Sequence, residues 1–317
     1  MVENKSGKPL QKNYPLLLLK GMAMGAADSV PGVSGGTIAV IARIYDELIY
    51  SIRSIDTRAL KLLISEGIKP AWDYINGTFL VVLLCGIVVS LRISAGIVLV
   101  LLDNYFEPLM AFFIGLVISS CWFLKAEFGR WNGKIVLAIA LGMTLTLLVG
   151  SLSPQSASVS NWYLYFCGLI AICAMILPGL SGAFLLLLLG VYDYMLGALV
   201  SLEIVTIAVF IAGCVTGLLL FSRVLAWALK HYRNLSYAFL SGMLLASAYV
   251  LWPWQMALSY YTDREGQSQM LEKANVWPGN YESLTGLDPQ LVLVLLCLVG
   301  GCVVIVGFNK LFRDPVD

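Results

Sequence analysis

Residues 30–49 read VPGVSGGTIAVIARIYDELI, and 147 positions later residues 177–196 read LPGLSGAFLLLLLGVYDYML. The two align without a gap and share Pro31/Pro178, Gly32/Gly179, Ser34/Ser181, Gly35/Gly182, Tyr45/Tyr192 and Asp46/Asp193. A second match sets 110–120 (MAFFIGLVISS) on 237–247 (YAFLSGMLLAS) at an offset of 127, and places Gly86 and Ser90 on Gly213 and Gly217. The chain is an internal duplication, so its fold has to contain two copies of one unit. The shorter second offset leaves about 20 extra residues in the first copy, within 51–77. There Ile55, Leu62, Leu63, Ile68 and Trp72 alternate with Arg58, Lys61 and Lys69, the pattern of a helix lying on a membrane surface.

Neither copy can be water-soluble. The chain is 59% hydrophobic and 12% charged, with a mean hydropathy of +0.86, too apolar for a globule to hide. Six apolar runs of about 17 residues or more can each span a hydrocarbon core of roughly 30 Å. The net charge of +1 comes without a basic patch interleaved with aromatics, so nucleic acid is not an expected partner. The seven cysteines show no CxxC or Cys/His spacing and read as reduced packing residues; no metal and no cofactor is expected. Lys5, Lys8 and Lys12 followed by the apolar stretch 16–27 imitate a cleavable signal peptide, but the internal counterpart of that stretch argues against removal.

Loop charge sets the topology. Lysines and arginines gather at 5–12, 43–69, 125–134, 230–233 and 310–313, which places those loops in the cytoplasm. Residues 103–107, 153–160 and 193–203 carry none, and 253–288 carry two against five acids, which places them outside. Both sets are satisfied only if each Pro-Gly segment enters and leaves on one face, the first from the cytoplasm and the second from outside. The expected fold is therefore an all-α polytopic membrane protein with an inverted-topology repeat. The first repeat is 1–152, with a re-entrant hairpin at 14–50, the interfacial segment 51–77 and helices at 79–102, 108–124 and 135–152. The second is 160–317, with a re-entrant hairpin at 161–199 and helices at 204–230, 235–252 and 290–309. Both termini are expected in the cytoplasm.

The Pro-Gly-x-Ser-Gly stretches become the hairpin tips. About 12 apolar residues before the first tip make roughly 18 Å of helix, enough to reach mid-membrane but not to cross. Proline ends the incoming arm, glycine lets the backbone turn, and Ser34 or Ser181 can cap the outgoing one. Irregular backbone at that depth is tolerated only inside protein or along a polar cavity. The first N–H groups of each outgoing arm make a potential anion site, and two such tips entering from opposite faces would meet near the midplane. The competing reading is that the tips are packed kinks without a ligand. Arg92 and Arg223 lie inside apolar runs at near-equivalent repeat positions. They either escort an anion or snorkel to the interface. Asp28 is a helix cap, a proton or cation site, or a partner for an arginine. Arg43, Asp46, Glu47 and Asp193 fall at the hairpin mouths, and Gly213-x3-Gly217 and Gly86-x3-Ser90 read as helix contacts.

The stretches GAADSVPGVSGGTIAVI (25–41), LPGLSGAFLLLLLGVYD (177–193) and FSRVLAWALKHY (221–232) resemble the bacterial polyprenyl-phosphate transporter family, long catalogued as domain of unknown function 368. The resemblance covers nearly the whole chain. It implies a plasma-membrane translocase that returns undecaprenyl phosphate from the outer to the inner leaflet, not an enzyme. Carried over residue by residue, it points to Asp28, Pro31, Gly32, Ser34, Gly35, Gly36 and Thr37 in the first tip. In the second it points to Pro178, Gly179, Ser181 and Gly182, followed by Arg223. The family pattern has a small residue where Arg43 stands here and a small or polar one at Ala183. Coupling to a proton or sodium gradient is left open, and the sequence sets no oligomeric state. A transporter or channel for a small soluble anion would use the same tips and arginines. A serine hydrolase would need a base near Ser34 or Ser181, and the one histidine, His231, falls at a cytoplasmic helix end.

Overall fold

The computed structural model describes residues 13–28, 34–152, 160–180, 182–262 and 268–311. In chain order the first half contains α1 (Tyr14–Asp28), α2 (Gly35–Ile41), α3 (Tyr45–Arg53), α4 (Thr57–Ser65), α5 (Ile68–Tyr74), α6 (Gly77–Asn104), α7 (Phe106–Leu124) and α8 (Gly133–Gly150). The second contains α9 (Asn161–Ile176), α10 (Gly182–Leu188), α11 (Tyr192–Val200), α12 (Ile204–His231), α13 (Arg233–Val250), β1 (Gln255–Thr262), β2 (Ser268–Asn275), α14 (Pro278–Thr285) and α15 (Leu291–Leu311).

Each predicted apolar run forms a helix. By length and composition, Phe106–Phe128, Gly133–Gly150 and Ile204–His231 are each enough to cross a membrane. Ile68–Tyr74 with Gly77–Leu91, bent by 70°, would be a fourth. The other two are shorter in apolar length or more polar. In α13 the reason is its position: Tyr237, Ala238, Met243, Leu244 and Ser247 are all buried in protein, so the helix has little lipid to face. Helix starts follow side-chain capping. Asn132 accepts the Ile135 N–H at 3.0 Å before α8, and Ser160 accepts the Tyr163 N–H at 3.2 Å before α9.

The segment expected at the interface is two short helices, α4 and α5. α4 buries no residue, and Ile64 is 79% exposed and Ile68 75% exposed. An apolar face turned outward in this way suits a helix lying on a bilayer.

The main helix contacts occur as matching pairs. α1 packs on α6 through Gly21 and Gly86, where a β-carbon would collide with the carbonyls of Leu83 and Leu18. At the repeat-equivalent positions α9 packs on α12 through Gly168 and Gly213, against Phe210 and Tyr165. α7 packs on α15 through Gly115 and Gly301, and α8 packs on α13 through Gly142 and Gly242. Small residues let these backbones touch, as in other membrane helix pairs. α3 packs on α12, and the common core gathers Tyr45, Ile49, Val117, Met243 and Leu244.

The structure corrects the all-α expectation in one place. Residues 255–262 and 268–275 form an antiparallel hairpin with Gln255 opposite Asn275 and Thr262 opposite Ser268. Its base is tied down by aromatic side chains: the Trp252 indole donates to the Val276 carbonyl at 2.8 Å and the Trp254 indole to the Pro289 carbonyl at 2.9 Å. A short two-stranded ribbon has no sequence period strong enough to stand out beside the helical runs.

Candidate functional site

The start of α2 meets the end of α9. Ser34 caps α2, accepting the Gly36 N–H at 3.1 Å, and its hydroxyl donates to the Met175 carbonyl at 3.0 Å. One turn on, Thr37 accepts the Gly179 N–H at 3.1 Å. Ser34 is 1% exposed and Thr37 3% exposed. Gly36 is required here because a β-carbon would stand 2.6 Å from the Ile176 carbonyl oxygen. On the other side Pro178 forces Leu177 into extended backbone and ends α9, and Gly179 turns the chain at φ +87°. Gly182 opens α10 against Met175 and Ala171.

The donors of the first tip are already used within the chain. Gly35 N–H goes to the Asp28 carboxylate at 2.6 Å, Gly36 N–H to Ser34 Oγ, and Thr37 N–H to the Ser34 carbonyl at 2.9 Å. The expected anion site at this helix start therefore holds an anion of the protein's own, Asp28. Pro31, Gly32 and Ser181 lie outside the described residues, as do the side chains of Arg92 and Asp193.

Two of the expected ligands stand elsewhere. Arg43 is exposed in the turn after α2, at the opposite end of that helix from Ser34, with φ +56°. Arg43 N–H reaches the Val40 carbonyl and Ile44 N–H the Ala39 carbonyl. This is a Schellman closure whose left-handed residue is Arg43. The repeat-equivalent closure, Gly190 to Leu187 and Val191 to Leu186, has glycine there, at φ +66°. Arg223 donates to the Leu219 carbonyl and, at 3.3 Å, to the Ile55 carbonyl just before α4. It is tied to the interfacial segment, not to the tips.

Other polar groups join the halves. Asp46 receives Arg233 at 2.6 Å and the Tyr237 hydroxyl at 2.7 Å, and Arg233 also meets Glu127 at 3.2 Å. Within the first half, Lys20, inside α1, donates to the Ala42 carbonyl at 2.8 Å. Buried Glu107 accepts the Tyr281 hydroxyl at 2.7 Å, anchoring α14 to α7. Lys20 was open to discovery by the criterion that singled out Arg92 and Arg223, an ionisable group inside an apolar run. The partners of Asp46 and Glu107 are 187 and 174 positions away, and no local pattern joins them. His231 is held by the Trp227 carbonyl at 3.0 Å, while Ser34 is bound to Met175, so the histidine is not the base of that serine.

Fold and site together define an integral membrane protein of packed apolar helices in which side chains of one broken helical segment bond to the backbone of the other. Residues 24–269 match the family described as VCA0040-like, undecaprenyl phosphate translocase-like, and the chain belongs to it. It is 38% identical over 298 residues to the polyprenyl-phosphate transporter of Vibrio cholerae serotype O1, covering 94% of this chain and 97% of that one. It is 31% identical over 255 residues to the polyprenyl-phosphate transporter of Staphylococcus aureus, covering 74% and 85%. No solved structure matches it significantly.

Proposed function

We propose that this protein is a translocase that returns undecaprenyl phosphate from the outer to the inner leaflet of the bacterial plasma membrane. The observation that carries the reading is the bonding of Ser34 and Thr37 to Met175 and Gly179, in a chain whose relatives are named polyprenyl-phosphate transporters. A phosphate monoester carries roughly −1.5 to −2 charges, and stripping its water is the barrier to crossing. The tail needs no such help. A polar junction between the two halves, surrounded by apolar helices, offers the head a route while the tail stays in lipid.

The matched helix pairs support an inverted repeat, and the short arms α2 and α10 support re-entrant hairpins. In this reading the halves rock about the tips in alternating access. The phosphate is held by Ser34, Gly35, Gly36 and Thr37 with Ser181 and Gly182, and takes the Gly35 N–H by displacing Asp28. Arg92 and Arg223 guide the headgroup toward and away from the tips, and a proton or sodium gradient sets direction. Headgroup translocation of undecaprenyl phosphate in proteoliposomes, with an ion gradient supplied, tests the proposal. Acceleration over empty vesicles is expected. A folded protein that gives none overturns the reading.

A further inference from the structure

The short arms α2 and α10 are helices of seven residues each. A helix that short does not hold its own shape, and its last carbonyls have no partner within it. In the first copy the closing turn takes two of them, Val40 with the Arg43 N–H and Ala39 with the Ile44 N–H. In the second, Leu187 meets the Gly190 N–H and Leu186 the Val191 N–H. Beyond these stands the Ala42 carbonyl and, 147 positions on, the Leu189 carbonyl.

Both are met by a side chain of the preceding helix. Lys20 of α1 donates its Nζ to Ala42 at 2.8 Å, and the Tyr163 hydroxyl of α9 donates to Leu189 at 2.8 Å. The two donors are not repeat equivalents: Cys167 stands at the position of Lys20, and Leu16 at that of Tyr163. Positions four apart share a helix face, so either can reach the same point. What the duplication keeps is the tie to this carbonyl, not the residue that makes it.

The starts of the two arms are not treated alike. Gly35 N–H goes to Asp28, whereas Met175 stands at the position equivalent to Asp28 and packs where a β-carbon on Gly182 would be. α1 therefore holds α2 at both ends, with an anion at its start and a cation at its finish, as the helix dipole favours.

We infer that Lys20 and Tyr163 are positioning residues, each fixing a short arm to the helix before it so that the tip keeps its register. What that register serves rests on the translocase reading. There the phosphate takes the Gly35 N–H from Asp28, which loosens the start of α2. Lys20 still ties α1 to α2 at the far end, and so keeps Ser34 and Thr37 against 175–179 while the head is bound. A charged donor bonds more strongly than a neutral one, which suits the arm whose other tie is exchanged.

The test combines hydrogen–deuterium exchange and translocation on proteoliposomes of the full chain, using Lys20→Met, Lys20→Arg and Tyr163→Phe. Lys20→Met should speed amide exchange about tenfold across 38–44 and leave 185–191 as in wild type, and Tyr163→Phe should do the reverse. An arm whose exchange does not change in its own variant overturns the tie there. Lys20→Met should also raise the half-saturating concentration of undecaprenyl phosphate about fivefold with the maximal rate within about twofold, and Lys20→Arg should restore it. A lower unfolding temperature with half-saturation unchanged would make Lys20 a purely structural group and overturn its positioning role. Tyr163→Phe removes one hydroxyl and keeps the ring, so the exchange comparison stands even if Lys20→Met does not fold. Wild type that fails to translocate would bring down the translocase reading and the purpose given to the register, while exchange still decides the ties.

Discussion

The Thr37 hydroxyl oxygen accepts the Gly179 backbone N–H at 3.1 Å, joining residues 142 positions apart. Thr37→Val keeps the shape and removes the acceptor, leaving a buried N–H unpaired at a cost of about 1–3 kcal/mol. Thermal unfolding in detergent should move down by that amount and translocation should fall with it, while Thr37→Ser should stay near wild type. Equal behaviour of the two variants would mean the bond contributes nothing.

Arg43 occupies a left-handed position that its counterpart Gly190 fills without strain. A side chain in that conformation costs roughly 1–2 kcal/mol. Arg43→Gly is therefore expected to raise the unfolding temperature and leave translocation within twofold. A loss of transport of tenfold or more at undiminished stability would instead make Arg43 a ligand, as its charge alone suggested.

Asp56 caps α4 by accepting the N–H groups of Arg58 at 2.8 Å and Ala59 at 2.9 Å. Burial pushes its carboxyl up, but those two N–H groups, the Tyr74 hydroxyl and the nearby Arg223 outweigh burial and hold it below the usual carboxylate range. A depressed carboxyl stabilises the fold above its unfolded value, about 3.9, and that contribution is lost as pH falls through the folded value. Near neutral pH the cap is fully present. Asp56→Ala should cost about 1 kcal/mol of local stability and raise amide exchange across 57–65, whereas Asp56→Asn, still a good cap, should not. Matching exchange in both variants would show that the cap does not hold α4.

Much of this arrangement could be read from the sequence because it is written in periods and repeats. The apolar runs located the long helices, and the Pro-Gly-x-Ser-Gly stretch marked Ser34 as the cap of α2. Gly86 and Gly213 were legible as helix contacts, since a β-carbon there would strike a facing carbonyl. What escaped was pairing across distance. A helix cap was one of the readings open for Asp28, but that the N–H it takes is Gly35's, at the start of α2, depends on how α1 returns toward α2. That Arg223 would reach Ile55 depends on where an interfacial segment of amphipathic sequence comes to rest. The β-hairpin was hidden by its brevity, and Arg43 by a strain that only the backbone reveals.

Asp28 offers the sharpest test of how the first tip works. Its carboxylate lies where a β-carbon on Gly35 would be, 2.5 Å from that position, and it accepts the Gly35 N–H at 2.6 Å. A phosphate reaching this helix start competes with it for the same donor. Asp28→Asn keeps an acceptor in place and removes the charge, so stability should shift by less than about 1 kcal/mol, the net worth of an ordinary hydrogen bond. Binding and release should separate: the half-saturating concentration of undecaprenyl phosphate falls several-fold because the competitor is weaker, and the maximal translocation rate falls because nothing expels the bound head. Both follow from one substitution measured over a substrate series. A half-saturating concentration that rises as the rate falls would show that Asp28 assists binding instead of opposing it, and exchange at Gly35 would then not be the step that releases the lipid.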